Sequence, residues 1–321
     1  MKLLFIFCTI ISVNSSANIL KHQYEEGDRF FLFPGDGDGL LHLVDTSEPV
    51  DENEILEYSR QPNNNGFWLY TRFNPNKADI LIYDNSDSIL KSHLDLNKTT
   101  VFLVHGWLGS GDNEMNQMLT EAFLDDDDIN VIVFEWSRLA NKNYITAKHG
   151  VLVLGQGLGQ FIQWLVSLGG SYDNVHLVGF SLGAHIVGNA GRYTESVIRR
   201  ITALDPAGPL WKQDKNRLVD SDAQYVEIIH TTKIYGIYEP CGHADFYPNG
   251  GSSMPGCWIN ICSHSKGYEY MAASVKYNHL YGNECNTLKE ATRGICKGEL
   301  YPMGNSDLKK SRSGIFHVDT E

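Results

Sequence analysis

A chain of 321 residues, 42% of them hydrophobic, supplies core enough for one large domain and is short for two. Its formal net charge of −13 is not relieved by any basic stripe, which excludes a nucleic-acid binder. It also argues against electrostatic adhesion to anionic membranes, so any lipid contact has to use apolar or aromatic side chains.

Residues 1–17 (MKLLFIFCTIISVNSSA) combine an early lysine, a short apolar run and small residues before Ala17, the pattern of a secretory signal peptide. A secreted, extracellular protein is expected, and no other stretch is apolar enough over enough length to cross a bilayer. Removing the leader removes Cys8 and leaves Cys241, Cys257, Cys262, Cys285 and Cys296, all in the last quarter of the chain. That placement suits a fold stapled by disulfides, and the odd count leaves one cysteine free or paired with another chain. Residues 18–65 are acidic and turn-rich and read as an N-terminal extension, either a strand pair or a removable propeptide. Within them Pro34-Gly35-Asp36-Gly37-Asp38-Gly39 starts like a calcium loop but lacks the later ligands, so it reads as a turn.

The domain proper is expected over 66–321. Strands are expected at 66–72 and 78–83, then a buried strand at 99–105 that runs into His105-Gly106-Trp107. Asn97-Lys98-Thr99, just before it, is a glycosylation sequon in a loop, with Asn97 the acceptor. A helix follows at 113–123, and the four aspartates 125–128 read as a solvated loop with no metal. Another buried strand covers 130–134, and a long amphipathic helix covers 144–168. Residues 175–180 are an apolar strand that meets Ser181 inside Gly179-Phe180-Ser181-Leu182-Gly183, and a helix rich in small residues follows. Strand, sharp turn at serine and helix is the nucleophile-elbow pattern, whose glycines let strand and helix close on each other. Strands at 201–204 and 225–229 end at Asp205 and His230, and a helical stretch is expected at 267–275. Strands alternating with helices give an α/β class, α/β-hydrolase fold: a mostly parallel sheet with helices on both faces. Ligands then sit at the carboxyl ends of the strands, where Ser181, Asp205, His230 and His105-Gly106-Trp107 all fall.

A serine hydroxyl needs a base, and the base needs an orienting carboxylate. In the elbow arrangement the order is serine, acid, histidine. Asp205, at a strand end and followed by Pro206, is the best-placed acid; Glu195, Asp214, Asp220 and Asp222 lie in surface-like segments. His230, His243, His264, His279 and His317 all remain open as the base. The oxyanion hole needs two backbone N–H donors, assigned to Leu182, after the nucleophile, and to Trp107.

These stretches are similar to the animal pancreatic-lipase family. The similarity runs from about Gly66 to Cys296 and includes VHGW at 104–107, HLVGFSLGAHIVG at 176–188, ITALDPAGPLW at 201–211, EIIHT at 227–231, GHADFYPNGG at 242–251 and MPGCWINICSHSKGYEY at 254–270. The resemblance implies that His264, in Cys262-Ser263-His264, is the catalytic histidine. It implies disulfides Cys257–Cys262 and Cys285–Cys296, with Cys241 left over and a Cys241–Cys257 bond as the alternative. In triglyceride lipases of the family the first disulfide brackets a long lid, whereas here only Trp258, Ile259, Asn260 and Ile261 lie between the cysteines. The short pattern resembles insect, venom-type phospholipases A1, and implies an open site with room for a polar head group. Trp258, Ile259 and Ile261 would then meet a membrane or micelle, or else pack on the sheet rim. The family's calcium loop falls at 214–222 with Val219 in an acidic ligand position, so no metal and no cofactor is expected. Only 297–321 follows the matched region, so neither a C-terminal β-sandwich nor colipase is expected, and a monomer is. The function implied is hydrolysis of the sn-1 acyl ester of glycerophospholipids. The alternatives are a neutral triglyceride or galactolipid lipase, and a non-catalytic lipid-binding or yolk-like protein.

Overall fold

The computed structural model describes residues 24–320, and the leader read at 1–17 lies outside them. The first described strands, β1 (Phe30–Pro34) and β2 (Leu41–Asp45), pair as an antiparallel hairpin of their own. The remaining strands of the described residues form one sheet: β3 (Gly66–Tyr70), β4 (Asp79–Leu81), β5 (Thr100–Val104), β6 (Asn130–Glu135), β7 (Val175–Phe180), β8 (Arg200–Leu204), β9 (Val226–Ile229), β10 (Ala244–Pro248), β11 (Tyr281–Cys285), β12 (Leu300–Pro302) and β13 (Gly314–Val318). Their spatial order is β12-β11-β13-β10-β9-β8-β7-β5-β6-β3-β4. The run from β13 to β6 is parallel throughout, and an antiparallel pair closes each edge. The sequence explains the division. Every residue of β5, β7 and β8 is buried, as a strand covered on both faces requires, whereas β3, the antiparallel strand next to the edge strand β4, alternates buried and half-buried positions.

The helices are α1 (Glu52–Arg60), α2 (Ser86–Leu90), α3 (Glu114–Asp126), α4 (Ser137–Ala140), α5 (Tyr144–Ser167), α6 (Leu182–Tyr193), α7 (Asn260–Tyr277) and α8 (Leu288–Arg293). Helix α5 packs on α6 and α1 on α5, while α3 packs on α7. The pleat of β5 sorts its side chains between the two layers. Phe102 and Val104 join the core with Leu158 of α5 and Ile186 of α6, and Val101 and Leu103 join the core with Phe123 of α3 and Met271 of α7. This is the α/β-hydrolase architecture expected from the strand-helix alternation.

The described part of 18–65 shares this core. Phe31, Phe33 and Val44 of the hairpin are buried with Trp107, Tyr144 and Tyr235. The run at 125–128 is exposed as expected, although α3 continues through its first two aspartates. Asn97 stands exposed in a turn just before β5. Cys257–Cys262 and Cys285–Cys296 are bonded, and Cys241 is a free, half-buried thiol, so the Cys241–Cys257 alternative is not formed. Among the described residues no helix is long and apolar enough to cross a membrane.

Candidate active site

Ser181 joins β7 to α6 with φ 54° and ψ −117°, a conformation that strains any residue with a Cβ. The surroundings enforce it. The Ser181 N–H donates to the Leu204 carbonyl at 3.0 Å, and the Ala207 N–H donates to the Ser181 carbonyl at 3.2 Å. The flanking glycines are required by close approach. A Cβ on Gly183 would lie 2.2 Å from the Val104 carbonyl oxygen, and one on Gly179 would lie 2.4 Å from that of Gly183. Ser181 is therefore held where the next strand's end can reach it.

That strand end is Asp205, fully buried just after β8. Its Oδ1 accepts from the N–H groups of Thr231 at 2.8 Å and Thr232 at 3.0 Å. Its Oδ2 accepts from the Thr232 hydroxyl at 2.6 Å and faces His264 Nδ1 at 2.6 Å. An acceptor-only carboxylate at Nδ1 puts the imidazole proton there and leaves Nε2 as the acceptor. Nε2 is buried and pairs with no protein atom among the described residues. The ring is walled by Phe180, the residue before Ser181, at a centroid distance of 4.6 Å, and by Phe33 and Tyr235, each at 6.0 Å. His264 lies inside α7, which starts at Asn260 and so begins earlier than the stretch expected at 267–275. The short disulfide loop lets the helix begin between its two cysteines.

The other histidine candidates are engaged elsewhere or lie apart. His230 pairs with the Ile237 carbonyl and with Asp245, His243 accepts from the Val226 N–H, and His317 pairs with the Ala291 carbonyl and Asp319. His279 contacts Tyr277. Among the acids set aside as surface groups, Asp222 needs correcting. It is buried, and its carboxylate takes the Arg192 guanidinium at 2.8 Å. Asp214 is paired with Lys148. Two of the acids at 214–222 are therefore already paired with side-chain cations, and Val219 supplies no carboxylate.

The Leu182 N–H is the first of α6, a position with no intrahelical acceptor. The Trp107 indole donates to the Lys142 carbonyl at 2.8 Å, which holds its ring in the core. No acceptor pairs with the Trp107 backbone N–H among the described residues. Asp36 was read only as part of a turn. Its buried Oδ2 accepts from the Gly106 N–H at 2.6 Å, and burial pushes its carboxyl pKa up. A run of Gly-Asp repeats gives no sign of such a reach. His105 beside it is stacked on Trp136, and burial lowers its pKa, keeping the ring neutral. Trp258 is 99% exposed and Ile259 60% exposed, while Ile261 is half-buried.

A family profile described as Lipase matches residues 44–300. Pancreatic triacylglycerol lipase of Homo sapiens is 33% identical over 312 residues, covering 83% of this chain and 65% of that protein. Lipase member H-A of Xenopus laevis is 38% identical over 242 residues, covering 71% and 52%. Pancreatic lipase-related protein 2 of Rattus norvegicus is 32% identical over 273 residues, covering 76% and 58%. The chain spans little more than half the length of most of the curated relatives it matches.

Proposed function

The chain belongs to the lipase family, and from that premise we propose that it is a secreted esterase of lipids acting through Ser181, His264 and Asp205. The observation that carries this reading is the buried Asp205–His264 pair beside the strained serine turn, with Nε2 left unpaired. The Ser181 Oγ attacks the ester carbonyl, and His264 Nε2 takes its proton as the C–O bond forms. The carbonyl electrons move to oxygen, which is bound by the N–H groups of Leu182 and Trp107. Each such donor is worth roughly 3 kcal/mol in the transition state. Collapse expels the alcohol, which receives the proton from His264. A water deprotonated by the same nitrogen then releases the fatty acid. Asp205 holds the tautomer and stabilises the imidazolium.

The favoured bond is the sn-1 ester of a glycerophospholipid. Only four residues lie between Cys257 and Cys262, and the stub turns Trp258 and Ile259 to solvent, while Ser181 and His264 themselves are buried, at 2% and 3% exposed. The exposure of Trp258 and Ile259 favours contact with a lipid surface over packing on the sheet rim. Triglyceride hydrolysis is the second reading, favoured by relatives described as pancreatic triacylglycerol lipases. Phosphatidylcholine with different chains at sn-1 and sn-2, compared with triolein, separates them. Release of the sn-1 chain alone is expected, and faster cleavage of triolein reverses the assignment. Ser181→Ala should lower turnover about 10⁴-fold or more and abolish fluorophosphonate labelling. Labelling that persists removes Ser181 as the nucleophile.

A further inference from the structure

The turn after β5 is gripped by a residue from far away in the chain. The Gly106 N–H donates to Asp36 Oδ2 at 2.6 Å, and the Asp36 N–H donates to the Trp107 carbonyl at 2.8 Å. These two bonds hold both ends of the Gly106-Trp107 pair. The peptide unit between them is fixed as well. The Gly106 carbonyl accepts from the Gly109 N–H at 3.3 Å and from His105 Nδ1 at 3.0 Å. A trans peptide carries its C=O and N–H on opposite edges. Turning the Gly106 carbonyl into the loop therefore turns the Trp107 N–H outward, with its hydrogen uncommitted.

The grip lies against the nucleophile. A Cβ on Gly106 would meet Ser181 Cβ at 3.1 Å and Asp36 Cβ at 3.2 Å, so Ser181 and Asp36 both close on the Cβ side of Gly106 and leave no room there for a side chain. Asp36 is 6% exposed, an expensive location for a carboxyl group that a turn alone does not require. Asp38, in the same turn, serves the local purpose instead, accepting from the Leu40 N–H at 2.9 Å.

We propose that Asp36 is a positioning residue for the oxyanion hole, its carboxyl oxygen setting the orientation in which the Trp107 N–H meets the ester oxygen bound over Ser181. This rests on the esterase reading above. The test compares wild type, Asp36→Asn and Asp36→Ala on p-nitrophenyl butyrate, with a trifluoromethyl ketone as a tetrahedral analogue and urea unfolding on the same preparations. Asn keeps an acceptor oxygen for the Gly106 N–H and should stay within about fivefold of wild-type kcat. Ala should lower kcat by roughly 10²- to 10³-fold with KM nearly unchanged, and weaken the ketone by a similar factor. If the Ala variant does not fold, Asp36→Ser, whose hydroxyl is too short to reach Gly106, takes its place. The proposal is overturned if the variant lacking the acceptor retains kcat within about threefold, if kcat falls while the ketone binds as before, or if Asn is as damaging as Ala. Wild-type protein that turns over no ester and takes no fluorophosphonate sinks the esterase reading, and this proposal with it.

Discussion

Asp205 accepts three hydrogen bonds besides the one from His264. Its carboxylate is thus held rigid before the imidazole arrives. Asp205→Asn keeps the shape but offers an NH₂ group where Oδ2 now accepts, and favours the wrong tautomer. A loss of about 10⁴-fold in kcat is expected with the circular dichroism spectrum unchanged. A loss under tenfold would mean that Asp205 does not set the tautomer. Ser181 and Asp205 were legible in the sequence for a physical reason: both sit at the ends of apolar strands, where period and punctuation mark the position. His264 was not legible on that basis. Five histidines follow Asp205, and the bond that selects one spans 59 residues, so similarity to a family had to decide. Asp36 was missed because its partner is 70 residues away and its neighbours spell a turn. Asp222 was misread because its burial depends on Arg192, on a different element.

At the scale of elements, the contact between α6 and β5 leaves no room for a side chain at the elbow. Gly183→Ala would drive a methyl into the Val104 and His105 carbonyls, at 2.2 and 2.6 Å. A loss of about 1–3 kcal/mol or more in urea unfolding is expected, and a neutral result would show that the two elements can part. The long strands and helices were readable from their periods, and their boundaries shifted by a few residues. The β1–β2 hairpin was legible only as one of two readings, a strand pair or a propeptide, because its strands are five residues each and flanked by glycine and aspartate. At the other side of the site, the stub between Cys257 and Cys262 presents Trp258 and Ile259. Replacing both with serine should weaken vesicle binding by about 10²- to 10⁴-fold, since each buried apolar side chain is worth roughly 1.5–3 kcal/mol. Turnover of a soluble short-chain ester should be unchanged. An equal loss on both substrates would place the two side chains in catalysis or folding instead of at a lipid surface.

Across the whole molecule, a buried charge cluster ties the C-terminal segment to the central strands. Glu227 of β9 faces Arg200 of β8 at 3.4 Å and is paired with Lys310, and all three are almost wholly buried. Arg200 also donates to the carbonyls of Gly304 and Asp307 at 2.7 Å each. Glu227→Ala would strand two buried cations, and a loss of about 3–5 kcal/mol is expected on urea unfolding. Burial, opposed by Glu227, lowers the Lys310 pKa to about 8, below its usual value. The unfolded chain then binds more protons between that pH and about 10.4, so this group makes stability rise with pH across the window. Below pH 8 the cost of the buried charge is fully present. Wild type should therefore gain on Lys310→Met as pH climbs from about 8 to 10 in paired thermal melts, and parallel melting curves would refute the linkage. Cys241 offers a different use of the fold. Its N–H donates to Asp245, the carboxylate that also holds His230, and burial and that carboxylate push its thiol pKa up. A thiol kept protonated is a poor nucleophile. Alkylation of Cys241 should therefore wait for the loop to open, and its rate becomes a clock for breathing beside the site, read without touching Ser181.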